Sequence, residues 1–255
     1  MKVERTESTN TLMKELLAKG EWPEGEWFLY TGFQTAGRGQ AGNGWESEEG
    51  KNLLCSVLID HGHWSSAISP FYLNVAVSVA VHRLLSQELT TKSKQLTIKW
   101  PNDIYWQDKK VAGILIENAI IGNELKYSIA GIGLNVNQTE WLSSAPNPVS
   151  LKQITGKDYN IDEQMETLAH AIKEVLSEPE EEVWNDYKAH LYRKDGFWPF
   201  VEREVSIAPT MNADRKTEGV FLAKIENVRA DGEIVLQDQQ GNVRKYHFKQ
   251  VRYVL

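Results

Sequence analysis

The segment GFQTAGRGQAGNGWESEEGKN carries glycines at 32, 37, 39, 42, 44 and 50, with Arg38 and Lys51 as its cations. Glycine lets backbone N–H groups approach a ligand closely, so a loop of this kind can wrap an anion such as phosphate. Read alone, the run equally describes a flexible surface loop. It fits neither Gly-x-Gly-x-x-Gly ahead of a helix nor the Walker pattern, which argues against those nucleotide folds. Trp45 within it offers an indole face on which a base can stack, or an anchor packed against the core.

A second stretch, KWPNDIYWQDKKVAGILIEN, spans residues 99–118. Pro101 keeps Trp100 out of a helix and sets an extended turn. Asn102 and Asp103 then place short polar groups at a strand junction. Lys110 opens KVAGILIE, where Ala112 and Gly113 leave room for a ligand beside the strand, although a lysine at a strand start is as readily a solvated charge. AGIGLNVN repeats the arrangement, with Asn135 and Asn137 following small residues. Other candidates carry less. His61 and His63 have no obvious set of cysteine or carboxylate partners, which argues against zinc. Cys55, the only cysteine, sits in the apolar NLLCSVLI and reads as a small buried thiol. There is no Gly-x-Ser-x-Gly elbow, and ESTN by itself is a helix cap.

These residues need elements to hold them. ESTNTLMKELLAKG reads as a helix capped by Ser8, Thr9 or Asn10, with Leu12, Leu16 and Leu17 on one face and Gly20 at its end. EWFLYTGF and NLLCSVLI read as strands flanking the glycine-rich segment. SPFYLNVAVSVAVHRLLSQEL follows as a helix, since Leu73, Val77, Val81 and Leu84 recur at helical spacing. Then come strands LTIKW, DIYWQ, KKVAGILIEN and LKYSIAGIGLNV, with a hairpin turn at Asp108-Lys109. The order predicts a mixed or antiparallel sheet with helices rather than a doubly wound one. Residues 141–156 read as a surface loop. IDEQMETLAHAIKEVLSE reads as a helix with Asp162 as N-cap and Ile161 as its hydrophobic staple, and EPEEEVWNDYKAHLYR as another with an acidic start. After Gly196, REVSIA, GVFLAKIENVRA, EIVLQD and VRKYHF predict a small β-barrel of about 60 residues.

The 255 residues hold 41% hydrophobic and 25% charged side chains, an ordinary globular balance. A formal charge of −7 argues against a nucleic-acid surface. No segment is long and apolar enough to span a bilayer and the N-terminus lacks a signal pattern, so the expected location is cytoplasmic.

In their order along the chain, ESTN, QTAGRGQAGNGW, KWPNDIYWQDKKVAGILIE and AGIGLNVN, followed by a small β module, resemble the biotin protein ligases. The resemblance implies an α+β fold: a mixed central sheet with flanking helices of the class II synthetase kind over residues 1–195, and an SH3-like barrel over 196–255. ESTN lies within ten residues of Met1, so the resemblance is to the ligase-only class without an N-terminal DNA-binding domain. It implies activation of biotin by ATP, with Mg2+, to biotinyl-5′-AMP, then transfer to a lysine of an apo biotin carboxyl carrier protein. A monomer or weak homodimer with no nucleic-acid or membrane partner is expected. Carried over by position, biotin falls to Ser8, Thr9, Asn10, Gln34, Arg38, Gly39, Gln40, Lys110 and Gly113. The adenylate falls to Trp45, Asn102 and Asn135, and catalysis to Lys110 and Arg38. Asp103 orients the site or helps bind magnesium, with no protein-held metal expected. One departure stands out. The family loop is Gly-Arg-Gly-Arg-x-Gly-Arg-x-Trp, and Gln40 and Asn43 replace its second and third arginines, neither supplying charge; Lys51 is the candidate substitute cation. A lipoate ligase and a non-catalytic biotin-binding adaptor are the competing readings.

Overall fold

The structure is a computed structural model that describes residues 1–61, 69–122, 124–143, 145–203 and 219–254. A seven-stranded sheet dominates it. Its strands are β1 (Lys2–Thr6), β2 (Phe28–Gln34), β3 (Leu53–Asp60), β4 (Leu96–Lys99), β5 (Asp103–Trp106), β6 (Lys109–Ile121) and β7 (Glu124–Leu134), in spatial order β1-β2-β3-β7-β6-β5-β4. β1 runs parallel to β2 and every other pair is antiparallel. The sheet is therefore mixed.

Side chains alternate between the faces of a strand, and the two faces have different covers. On one, Leu53, Cys55, Val57, Ala130, Ile132, Ala112 and Ile114 join a large core with α2 (Pro70–Leu89) and α4 (Ile161–Ser177). Cys55 is buried there, and burial pushes its thiol up, out of reach as a nucleophile. On the other face, α1 (Thr9–Lys19) sets Met13 against Leu29 and Ile129. That helix covers only part of its face. Beyond its N-terminus the sheet presents Gly113, Gly131 and Gly133, where β6 and β7 pair Gly113 with Gly133 and Leu115 with Gly131.

The second sheet holds β8 (Trp198–Glu202), β9 (Val220–Val228), β10 (Ile234–Asp238), β11 (Val243–Tyr246) and β12 (Val251–Tyr253), all antiparallel, in order β11-β10-β9-β8-β12. It shares its core with the first sheet. At the seam the Trp100 indole donates to the Gly232 carbonyl at 3.1 Å, and Arg193 Nη1 to that of Val254 at 2.7 Å. Gly232 turns with φ of +89°, and a Cβ there would lie 2.3 Å from Phe71 of α2.

Several local expectations need correction. The cap of α4 is Asn160, whose side chain accepts from the N–H groups of Asp162 and Glu163, so Ile161 is already helical and Asp162 only enriches the first turn. Likewise, the β5–β6 turn is Gln107-Asp108: Lys109 pairs with Trp106, and Gln107 takes φ of 54°. Within 141–156 the chain is not merely loop. Ser150 and Gln153 form a reciprocal capping box on the short helix α3 (Leu151–Thr155). Ser8 occupies the N-cap of α1 without a side-chain capping bond. His63 and all of REVSIA after Arg203 lie outside the described residues, while β1, β8 and β12 had no counterpart in the sequence reading.

Candidate active site

Asn10, Thr9 and Ser8, at the first turn of α1, are 2%, 3% and 5% exposed. Burial of so many polar atoms requires partners, and Thr9 and Asn10 have them. Thr9 donates through N–H and Oγ1 to Gln34 Oε1 at 2.8 and 3.1 Å. Ser56 Oγ on β3 lies 2.7 Å from Thr9 Oγ1 and 2.6 Å from Asn10 Oδ1. Asn10 Nδ2 donates to Glu117 Oε2 at 2.7 Å. Gly131 makes this possible, since a Cβ there would come within 2.5 Å of Asn10 Oδ1.

Glu117, on β6, ties this cluster to the glycine-rich loop. Its carboxylate accepts from Lys14 Nζ at 2.6 Å and from Arg38 Nη2 at 3.0 Å. Burial alone would raise its pKa; hydrogen bonds from Lys14 and Asn10 with the charges of Lys14 and Arg38 outweigh that and hold it below the ordinary range. The loop itself closes by backbone bonds, Gly39 N–H to Asn43 O at 2.7 Å and Trp45 N–H to Gly37 O at 2.8 Å. Gln40 Nε2 donates to Asn102 Oδ1 at 2.9 Å and to the Ile114 carbonyl at 3.4 Å. Asn102 is fully buried, so in this arrangement its amide faces the protein.

The other half of the site lies on the glycines. The Trp45 ring covers Gly113 and Gly133, where an added Cβ would approach it to 2.8 and 2.3 Å. Lys110 Nζ stands 5.6 Å from the Trp45 ring centroid and forms an ion pair with Asp103 Oδ1 at 2.8 Å. It reaches this face through a β-bulge. β5 and β6 pair Ile104 with Ala112 but Tyr105 with Lys110, leaving Val111 as an extra residue. A bulge of this type re-aims a side chain, here turning Lys110 toward Gly113, whose hypothetical Cβ would lie 3.0 Å from Nζ.

The Lys110 backbone is held from outside the sheet. Its N–H donates to Asn147 O, and its carbonyl accepts from Val149 N–H, both at 2.9 Å. Asn135 Nδ2 donates to the Lys110 carbonyl at 3.2 Å and to that of Val149 at 3.1 Å. Two buried atoms here, Asn135 Oδ1 and Trp45 Nε1, find no hydrogen-bond partner among the described residues. Cross-strand from Asp103, Lys99 lies over the Tyr105 ring, and burial pushes its ammonium down to about 8.

The structure thus gathers Ser8, Thr9, Asn10, Gln34, Arg38, Gly39, Gln40, Trp45, Asn102, Asp103, Lys110, Gly113 and Asn135 around one stretch of sheet face. Lys51 stays exposed at the loop's far end, where its carbonyl accepts from Asn137 N–H. Sequence reading missed Ser56, Asn74, Glu117 and the 147–149 segment. The His61 ring bonds Ser128 Oγ at 2.9 Å, and no metal-binding group of His, Cys, Asp and Glu occurs among the described residues. Nor, among those residues, is any helix long and apolar enough to cross a membrane.

The chain is also similar to known proteins in sequence and in fold. Residues 3–135 match the model of the biotin/lipoate A/B protein ligase family. The bifunctional ligase/repressor BirA of Bacillus spizizenii is 30% identical over 234 residues, covering 90% of this chain and 67% of that protein. The biotin–[acetyl-CoA-carboxylase] ligase of Paracoccus denitrificans is 30% identical over 66% of this chain and 68% of its own. In fold, the biotin protein ligase from Aquifex aeolicus in complex with biotin and ATP superposes with a TM-score of 0.73 at 23% identity, covering 100% of this chain and 98% of that one. With the family model matched over residues 3–135 and a relative 30% identical over most of the chain, the chain belongs to the biotin/lipoate A/B protein ligase family.

Proposed function

We propose that this chain is a biotin–[biotin carboxyl carrier protein] ligase that uses ATP. A biotin carboxylate oxygen attacks the α-phosphorus of ATP, the bond to the leaving pyrophosphate breaks, and biotinyl-5′-AMP forms. The neutral amine of an acceptor lysine then attacks the acyl carbon, and AMP departs. The observation that carries this reading is Lys110. A bulge turns its ammonium over a glycine floor beside Trp45, at the junction of an acyl-binding end and a nucleotide-binding end. A fixed cation there stabilises charge that grows as the phosphorus is attacked.

Each remaining assignment follows from placement. The compact polar cluster of Ser8, Thr9, Asn10 and Gln34 suits a hydrogen-bonding head such as a ureido ring. A lipoyl chain, apolar at its dithiolane end, gives those groups nothing to bind, which favours biotin over lipoate. Arg38, Gly39 and Gln40 border biotin from the loop, and Gly113 leaves space beside Lys110. Trp45 offers a stacking face to adenine, with Asn102 and Asn135 acting behind it through the loop and the Lys110 backbone. Magnesium enters with the nucleotide. Such an ion needs one or two carboxylates besides phosphate oxygens, and Asp103, part-exposed beside Lys110, fits that need. The reading places the protein in the cytoplasm as a monomer or weak homodimer without nucleic-acid partners, with a catalytic domain over 1–195 and an SH3-like module over 196–255.

Biotin-dependent exchange of labelled pyrophosphate into ATP tests the first half-reaction. We expect exchange with biotin and little with lipoate. Equal exchange with both acids, or none with either, would overturn the assignment.

A further inference from the structure

Asn74 is out of character for its helix. Its neighbours in α2, Tyr72, Leu73, Val75, Ala76 and Val77, are all buried apolar residues, and asparagine is a poor helix former because its amide competes with the backbone. Its Oδ1 accepts from Asn102 Nδ2 at 2.6 Å. Asn102 Oδ1 in turn accepts from Gln40 Nε2 at 2.9 Å.

This chain of amides has only one workable direction. The Ile114 carbonyl can only accept, so the Gln40 nitrogen must face it. That orientation fixes the oxygen of Asn102 toward Gln40 and its nitrogen toward Asn74, where an acceptor is required. A rigid helix thus dictates where Gln40 sits, through a residue with no exposure of its own. Gln40 opens the turn whose bonds close the loop from Gly37 to Trp45.

We propose that Asn74 is a positioning residue that helps hold the glycine-rich loop closed, acting through Asn102 on Gln40. With no arginine at position 40, this neutral relay supplements the Arg38–Glu117 ion pair and the loop's own backbone bonds. In the ligase reading on which its functional consequence depends, the relay sets how long biotinyl-5′-AMP is retained.

Hydrogen exchange on the ligand-free protein tests the relay without using activity. Asn74→Ala should speed exchange of the Gly39, Asn43 and Trp45 amides about three- to tenfold, the loss expected for one hydrogen bond. Exchange in β3 and β7 should stay unchanged. Asn74→Asp keeps an acceptor for Asn102 Nδ2 and should restore protection, which a merely structural role for the amide would not predict. Should Asn74→Ala loosen the whole fold, Gln40→Leu breaks the relay at its other end and should free the same three amides. Unchanged loop exchange in Asn74→Ala, or in Gln40→Leu where the first variant loosens the fold, would overturn the proposal, as would failure of Asn74→Asp to restore protection. Release of biotinyl-5′-AMP should accelerate in parallel with loop exchange. If the loop amides respond while the wild-type protein forms no adenylate, the relay stands and the ligase reading falls.

Discussion

The two ends of the site solve opposite problems. At the α1 end, Thr9, Asn10 and Ser56 are buried and Gln34 half-buried, and the four are bonded to one another within 3.1 Å. At the Trp45 end, the indole nitrogen and Asn135 Oδ1 are buried with no partner among the described residues. A network already satisfied is rigid, and it selects a ligand by how well that ligand matches its existing pattern. An end with orphan polar atoms is held at a cost that a ligand can recover. In the proposed ligase, the first end would suit shape-specific recognition of the acid, and the second binding that strengthens only when the nucleotide arrives. Lys110 stands between them.

The sharpest way to break this contrast is to remove its midpoint. Lys110→Ala should lower biotin-dependent pyrophosphate exchange by about 10²–10³, the usual loss for one preorganised group at developing charge, while circular dichroism shows an intact fold. Near-normal exchange would strip Lys110 of its role. Trp45→Ala comes next. Loss of a stacking face costs about 1–3 kcal/mol by analogy with base–aromatic contacts, so the ATP KM should rise while calorimetric affinity for biotin holds. A fall in biotin affinity alone would make Trp45 a packing anchor instead.

Ser56→Ala probes the satisfied end and should do the reverse. It removes one link to Thr9 and Asn10, and a net hydrogen bond is about 0.5–1.5 kcal/mol, so biotin should bind several-fold more weakly with the ATP KM unmoved. An equal effect on both ligands would mean the two ends are not separate. The smallest effect concerns Glu117, at the border between them. Its pKa is lowered in the folded state, so its contribution is complete above the unfolded value of 4.5 and disappears as pH falls through the folded one. The melting-temperature gap between wild type and Glu117→Gln should accordingly be widest near neutrality and close in acid. A gap that persists at pH 3 would show that packing, not charge, is what Glu117 supplies.

Much of this was legible from the chain. Periodicity located α1, α2, α4 and α5 (Glu180–Ala189), and the site motifs lie where their spacing put them. What escaped depends on distant partners. Ser56 sits inside an apolar strand and looks like filler until Thr9 and Asn10 arrive from 47 and 46 residues away. Glu117 resembles a solvated strand end, and Asn74 an interruption of a helix. Both acquire roles only through contacts across 79 and 28 residues. Residues 147–149 carried loop composition because they pair with a single point of β6 and need no strand periodicity. Local patterning reports what a residue's neighbours are, and these four sites are defined by who is opposite.

Lys110 and Gly113 meet on one side of the sheet although an odd number of positions separates them. In an uninterrupted strand only even separations share a side, so their spacing encodes the additional residue at Val111. Parity then becomes something to read: two site residues on one strand at odd separation announce an irregularity between them before any coordinates exist. It also makes length itself a test. Removing Val111 would bring the separation to two, an even count that an uninterrupted strand satisfies without a bulge, so the ammonium should stay on the glycine side; pyrophosphate exchange by that shortened protein, set against its retained helix content, would show whether parity alone or the bulge itself places the group.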